Sequence, residues 1–140
     1  MTTFGTAKWQ GGIKDGIGAI STKSGALSDY PYGFASRFEG KPGTNPEELI
    51  GGAHAGCFTM ALSLILEQAG FKATEMNTTA EITLAKDGDG FSIIKSHLTL
   101  KATIPGITEE KFKELTGMAE KGCPVSKVLK CEITLDASLV

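Results

Sequence analysis

Between positions 49 and 66 the chain carries no formal charge at neutral pH, and apolar or small residues fall on every side of a helical projection rather than along one stripe. The surrounding stretch 44–71, TNPEELIGGAHAGCFTMALSLILEQAGF, is predicted as one long helix with Cys57 near its middle. Asn45 caps it, Pro46 stands where a missing N–H costs nothing, and Glu47 and Glu48 face the positive helix end. Asn45-x-x-Glu48 has the spacing of a capping box, and Gly70 supplies the stop. A helix with no polar face is buried all round.

The flanking patterns have shorter periods. Residues 1–40 read as a meander of short strands, TAKWQ, GIGAIST and YGFASRFEG, punctuated by Gly11-Gly12 and Lys23-Ser24-Gly25. Lys41-Pro42-Gly43 breaks the chain before the helix. Beyond it, 74–86 alternates through Met76, Ala80, Ile82 and Leu84, Asp87-Gly88-Asp89-Gly90 turns, and Ile94, Leu98, Leu100, Ala102 and Ile104 return as the second arm of a hairpin. Thr108 caps an amphipathic, superficial helix that buries Phe112, Leu115, Met118 and Ala119, and Gly122 stops it. Cys123-Pro124 opens a short helical turn with Val125, Val128 and Leu129. The last strand sets Cys131, Ile133, Leu135, Ala137 and Leu139 on one face. This order predicts an α+β fold in one domain, residues 1–140, with antiparallel sheet packed around a long buried central helix.

One modest sheet does not cover a helix that is apolar on all sides. Gly52 and Gly56, with Gly51, Ala53 and Ala55, form a small-residue patch that allows close helix approach, so a twofold pairing of two copies is expected there. The alternative is that the chain's own 108–121 helix crosses at the patch. The 18 uncharged residues also just reach the length of a membrane span. His54, the glycines, acidic residues at both ends and the absence of a Lys/Arg bias argue against that reading.

Charge and cysteines narrow the chemistry. Sixteen acidic and fourteen basic side chains, a net charge of −2, leave no excess of positive charge for phosphates, so nucleic acid is not an expected partner. The opening MTTFGTAKWQGGIKDG has neither a basic leader nor an apolar core, and a cytoplasmic location is expected. Three cysteines in a reducing compartment make no disulfide framework and point to redox or nucleophilic use.

A buried thiol is ordinarily inert filler, because burial raises its pKa; a nucleophile needs a nearby cation or a helix N-terminus. Cys57 lies mid-helix and must import a charge. The candidates are His54, one turn earlier, and Arg37, the only arginine in the chain. Arginine stays charged on burial and takes its orientation from a carboxylate through its planar fork. Taken singly, each residue also has a structural reading: His54 as a satisfied core histidine, Arg37 as a surface cation, Glu47 and Glu48 as partners of the helix dipole.

NPEELIGGAHAGCF, with RFEG upstream and Cys123 in GCPVSKVLK 66 residues after Cys57, resembles the OsmC branch of the OsmC/Ohr family of bacterial thiol-dependent peroxidases. The likeness runs through PYGF and the terminal EITLD. It implies an α+β fold in an intertwined homodimer with active sites at the subunit boundary. Cys57 then takes the peroxidatic role, Cys123 the resolving role, and Arg37 with Glu47 the activating pair. It also implies reduction of organic hydroperoxides in preference to hydrogen peroxide, without metal or haem, and an external dithiol reductant such as lipoyl groups. Glu47 and Cys57 are ten residues apart on one predicted helix, about 15 Å along its axis. Glu47 therefore cannot hold Arg37 over its own chain's Cys57, and each site is expected to combine Cys57 and Cys123 of one chain with Arg37 and Glu47 of the other.

Three other readings compete. Cys57 and His54 could form a Cys-His pair for acyl transfer or hydrolysis, though no third group orients the imidazole. Cys57, Cys123, His54 and His97 could bind zinc, without any C-x-x-C spacing to favour it. The cysteines could be inert in a non-enzymatic stress protein. Cys131, alternating with Ile133 and Leu135, is expected to be a buried, unreactive thiol, and Pro124 suggests an exposed Cys123 at a helix start. Phe38, Phe58, Met60, Leu64 and Ile65 are available as apolar walls but read equally as core.

Overall fold

The computed structural model describes residues Met1–Val140, and its contacts divide the chain into two compact units, Met1–Leu49 and Ile50–Val140. The first holds a three-stranded antiparallel sheet in the order β1 (Gly5–Gln10), β2 (Ile17–Thr22), β3 (Tyr30–Tyr32). The meander is as expected, except that YGFASRFEG is not a strand beyond Tyr32. It turns at Gly33 into a short helix, α1 (Phe34–Phe38). Ser36 is the cause: its hydroxyl accepts the Gly33 N–H at 2.9 Å and donates to the Thr44 carbonyl at 2.9 Å, closing a helical turn that the alternation of aromatic residues hides. At Gly18 any side chain would collide with the rings of Tyr32 and Trp9, which meet edge to face at 5.6 Å across the sheet.

The long helix is observed as α2 (Pro46–Gln68). Asn45 Oδ1 accepts the Glu48 N–H at 2.8 Å, and Gly70 ends the helix at φ +89°. The return half of the capping box is missing, because the Glu48 carboxylate accepts from the Thr44 hydroxyl at 2.8 Å instead. α2 is long and apolar enough to cross a membrane. Within this chain it is not buried all round. Gly51, His54, Phe58, Leu62 and Leu66 form one buried stripe, whereas Met60 and Leu64 are 78% and 58% exposed.

The second unit carries a sheet in the order β4-β5-β6, with β4 (Glu75–Asp87) and β5 (Gly90–Thr103) joined as the expected hairpin. Thr83 pairs with Lys95 but Leu84 pairs with Ile93, which leaves Ile94 as a bulged residue. A bulge shifts the alternation by one position, so Ile94 is exposed while Ser96, Leu98, Leu100 and Ala102 point inward. β6 (Glu132–Leu139) pairs parallel with β5, against the expectation of an all-antiparallel sheet. The intervening helices, α3 (Glu109–Gly122) and α4 (Pro124–Val128), form the crossover that a parallel partner requires. α3 is capped by Thr108, whose side chain accepts the Lys111 N–H, and it buries Phe112, Leu115, Thr116 and Ala119. Met118 is half exposed, and Thr116 takes the inward place it was expected to hold. The core joins Phe58, Leu62 and Leu66 of α2 to Leu98, Leu100 and Ala102 of β5 and to the buried face of α3. An added Cβ at Gly51 would lie 2.9 Å from the Ala80 carbonyl oxygen, so α2 rests almost on the backbone of β4. At Gly52 and Gly56 it would meet nothing within 4 Å, so α3 does not cross at the small-residue patch.

Candidate functional site

Two arrangements of polar groups stand out, one in each unit. In the first, Arg37 and Glu47 are locked as a fork: Nη2 donates to Oε1 at 2.6 Å, and Nε lies 3.1 Å from Oε1 and 3.3 Å from Oε2. Glu47 is buried and Arg37 partly exposed, the geometry in which a carboxylate orients a guanidinium while leaving its remaining N–H groups free to point elsewhere. Trp9, Ile13, Tyr32, Phe34 and Phe38 line an apolar groove of about 220 Å³ beside Arg37. Helix α1 places the arginine there, and the guanidinium stands 5.4 Å from the Phe38 ring centroid.

In the second unit, Cys57 of α2 and Cys123 lie within hydrogen-bonding reach of one another, both free thiols. The spacing of 66 residues is closed by packing: α3 runs over the sheet and ends at Cys123, the N-cap of α4. Its sulfur accepts the Ser126 N–H at 3.2 Å. Cys123 is fully buried, contrary to the exposed helix start that Pro124 suggested. Cys57 is half-buried and borders an apolar groove of about 600 Å³ lined by Met60, Ala61, Leu64, Ile65 and Pro124. Three of the five available apolar residues, Met60, Leu64 and Ile65, thus reach the groove, while Phe58 is core.

Burial pushes the Cys57 thiol above its ordinary pKa, and the Cys123 thiol beside it pushes in the same direction. A hydrogen bond from the Val125 backbone N–H pulls the other way. No positive charge from residues 50–140 enters the balance.

His54 is fully buried, and its ring nitrogens are both engaged, Nδ1 with Ser96 Oγ at 2.6 Å and Nε2 with Ser126 Oγ at 2.8 Å. Neither is on Cys57, so the direct Cys57–His54 pair is not formed. His97 contacts Thr134 at 2.5 Å through Nδ1 and Asp136 at 3.3 Å through Nε2, on the other face of β5 from Ser96. The four residues considered for zinc do not converge. Cys131 precedes β6 and is half-buried rather than buried. Ser96, Ser126 and the Val125 amide went unnoticed in the sequence. Ser126, three residues after Cys123 behind a proline that starts a helix, had a recognisable position, whereas Ser96 had none without the register of β5.

The family described as "OsmC-like protein" matches residues 38–138. The chain is 55% identical over 135 residues to peroxiredoxin OsmC of Escherichia coli strain K12, covering 96% of this chain and 94% of that protein. Organic hydroperoxide resistance protein OhrB of Bacillus subtilis has a crystal structure that superposes with a TM-score of 0.73 at 27% identity, over 100% of this chain and 98% of that one. A crystal structure of an organic hydroperoxide resistance protein OsmC from Legionella pneumophila gives 0.71 at 25% identity, over 99% and 96%.

Proposed function

The chain belongs to the OsmC-like protein family, and from that premise we propose that it is a cysteine-based peroxidase that reduces organic hydroperoxides in oxidative or osmotic stress defence. The observation that carries the assignment is the pair of adjacent thiols of unequal access: Cys57 borders an apolar groove and Cys123 is sealed beneath it. A peroxide with an apolar substituent fits that groove better than hydrogen peroxide and meets Cys57 first.

The Cys57 thiolate attacks the oxygen distal to the organic group. The O–O bond breaks, the alkoxide takes a proton and leaves as alcohol, and Cys57 becomes a sulfenic acid. Cys123 then attacks that sulfur, giving a Cys57–Cys123 disulfide and water. The disulfide protects Cys57 from the irreversible sulfinic stage. An external dithiol, lipoyl groups being the expected class, returns both thiols; no resident metal or organic cofactor takes part in this scheme. A reducing cytoplasm suits such a cycle.

The thiolate requires a cation, and the Arg37–Glu47 fork supplies one from a second copy of the chain. Glu47 and Cys57 stand ten residues apart on the continuous helix α2, about 15 Å along its axis. The exposed face of α2, with Gly52, Gly56, Met60 and Leu64, and the exposed Ile13 and Ile17 of the first unit are the apolar surfaces that such a homodimer would cover. In the composite site the guanidinium lowers the Cys57 pKa and stabilises the leaving alkoxide.

Complementation tests the arrangement. Cys57→Ser and Arg37→Gln chains are each expected to be inactive, and refolding them together should restore activity, because a mixed dimer holds one intact site. No recovery in a mixture shown to contain heterodimer would refute the shared site.

A further inference from the structure

Between Gly51 and Leu66 the buried stripe of α2 contains one polar side chain, His54, whose hydrogen bonds lead to a thiol. Nδ1 meets Ser96 Oγ at 2.6 Å and Nε2 meets Ser126 Oγ at 2.8 Å; the Ser126 hydroxyl in turn lies 3.2 Å from Cys123 Sγ. β5, α2 and α4 each contribute to this line, and every side chain on it is buried. One consistent set of directions satisfies all of them. Cys123 S–H donates to Ser126 Oγ, Ser126 O–H donates to His54 Nε2, and the ring proton on Nδ1 donates to Ser96 Oγ. Burial pushes the imidazole below its ordinary pKa, which favours the neutral ring and leaves one nitrogen, Nε2 in this set of directions, as an acceptor.

A fully buried thiol is shielded from bulk water as a proton acceptor, yet it must become a thiolate to attack a sulfenic acid. We propose that Ser126 and His54 form a proton relay that deprotonates Cys123 during the resolving step, with Ser96 holding the ring in the required tautomer. This deepens the peroxidase reading above and rests on it. As the bond from Cys123 Sγ to Cys57 Sγ forms, the S–O bond of the sulfenic acid breaks and its electron pair leaves with the oxygen. The Cys123 proton passes to Ser126 Oγ while the Ser126 proton passes to Nε2. The imidazolium then returns that proton through the Ser126 hydroxyl to the departing hydroxide beside the two sulfurs, so the sum is one disulfide and one water. His54 acts through Ser126 and is a positioning and proton-accepting residue, not one that meets the peroxide. A histidine kept only for packing would be satisfied by any two buried hydroxyls and would not need one of them to end on a thiol.

The test mixes reduced full-length protein rapidly with tert-butyl hydroperoxide and resolves two events, oxidation of Cys57 and closure of the disulfide. Mass spectrometry of quenched samples separates disulfide from sulfinic acid. Ser126→Ala interrupts the relay. His54→Gln retains a donor and an acceptor for the two serines but cannot accept a proton. In both variants the ratio of closure rate to oxidation rate is expected to fall about 100-fold, with a matching rise in sulfinic acid. A ratio unchanged in both overturns the relay and leaves the peroxidase reading standing. Retention of the ratio in His54→Gln alone assigns His54 a packing role and also overturns it. Should His54→Gln fail to fold, Ser126→Ala decides by the same ratio. A wild-type protein in which Cys57 is not oxidised overturns both proposals together.

Discussion

Replacing Gly56 with leucine distinguishes a protomer that stands alone from one that presses α2 against a second copy. In the single chain a Cβ at this position meets no atom within 4 Å. Exchanging a mid-helix glycine for leucine should then stabilise the protomer by about 0.5–1 kcal/mol through helix propensity. If the patch around Gly52 and Gly56 is where two copies of α2 approach, the sign reverses. Overpacking costs about 1–3 kcal/mol per site, and twofold symmetry places the new side chain twice, for about 2–6 kcal/mol. That weakens dimerisation on the order of 30-fold to 10⁴-fold. Sedimentation over a concentration series reads the dimer constant, and peroxidase turnover in the same samples should fall with the dimer fraction. Gly51→Ala is the control, because its Cβ would stand 2.9 Å from the Ala80 carbonyl oxygen and should destabilise the protomer itself. A Gly56→Leu protein that dimerises at wild-type concentrations would mean that α2 does not meet a second copy at this patch.

Other expectations follow from the same geometry. Cys123→Ser should consume about one peroxide per chain rapidly, giving Cys57 sulfenic acid, and a second slowly as sulfinic acid accumulates; sustained turnover with a dithiol reductant, followed by peroxide assay, would contradict the resolving role. Leu64→Asn places an amide in the groove beside Cys57 and should lower kcat/KM for tert-butyl hydroperoxide about tenfold relative to that for hydrogen peroxide, measured by steady-state kinetics with both substrates. The buried His54 has its pKa pushed below the ordinary imidazole value near 6.5. Between that value and the lowered one the unfolded chain binds a proton that the native chain does not, so stability rises with pH there and falls on acidification below about 6.5. Urea midpoints compared at pH 7.5 and pH 5 should show the loss, with a smaller slope in His54→Gln.

Much of the architecture was legible because it rests on local rules. The central helix announced itself through Asn45, Pro46 and Gly70, the hairpin through its alternation and its Asp-Gly turn, and α3 through Thr108. Departures occurred where a single side chain or residue count overrode the local signal. Ser36 turned a strand-like run into α1, and the extra residue at Ile94 flipped which side chains of β5 face inward. The direction of β6 depended on where the α3–α4 crossover delivered the chain, which periodicity does not encode.

By itself the amino-acid order determined most of the elements, which follow from residue type and short spacings, while the roles expected of Cys57, Cys123, Arg37 and Glu47 came from the resemblance of their motifs to the OsmC/Ohr family. Tertiary structure alone decided that Cys57 and Cys123 touch across 66 residues, that one faces a groove and the other does not, and that His54 connects to Cys123 through Ser126 rather than to Cys57. The reason is that thiol chemistry depends on burial, hydrogen-bond partners and distance. These belong to packed surfaces far apart in the chain, and no short stretch of residues contains them.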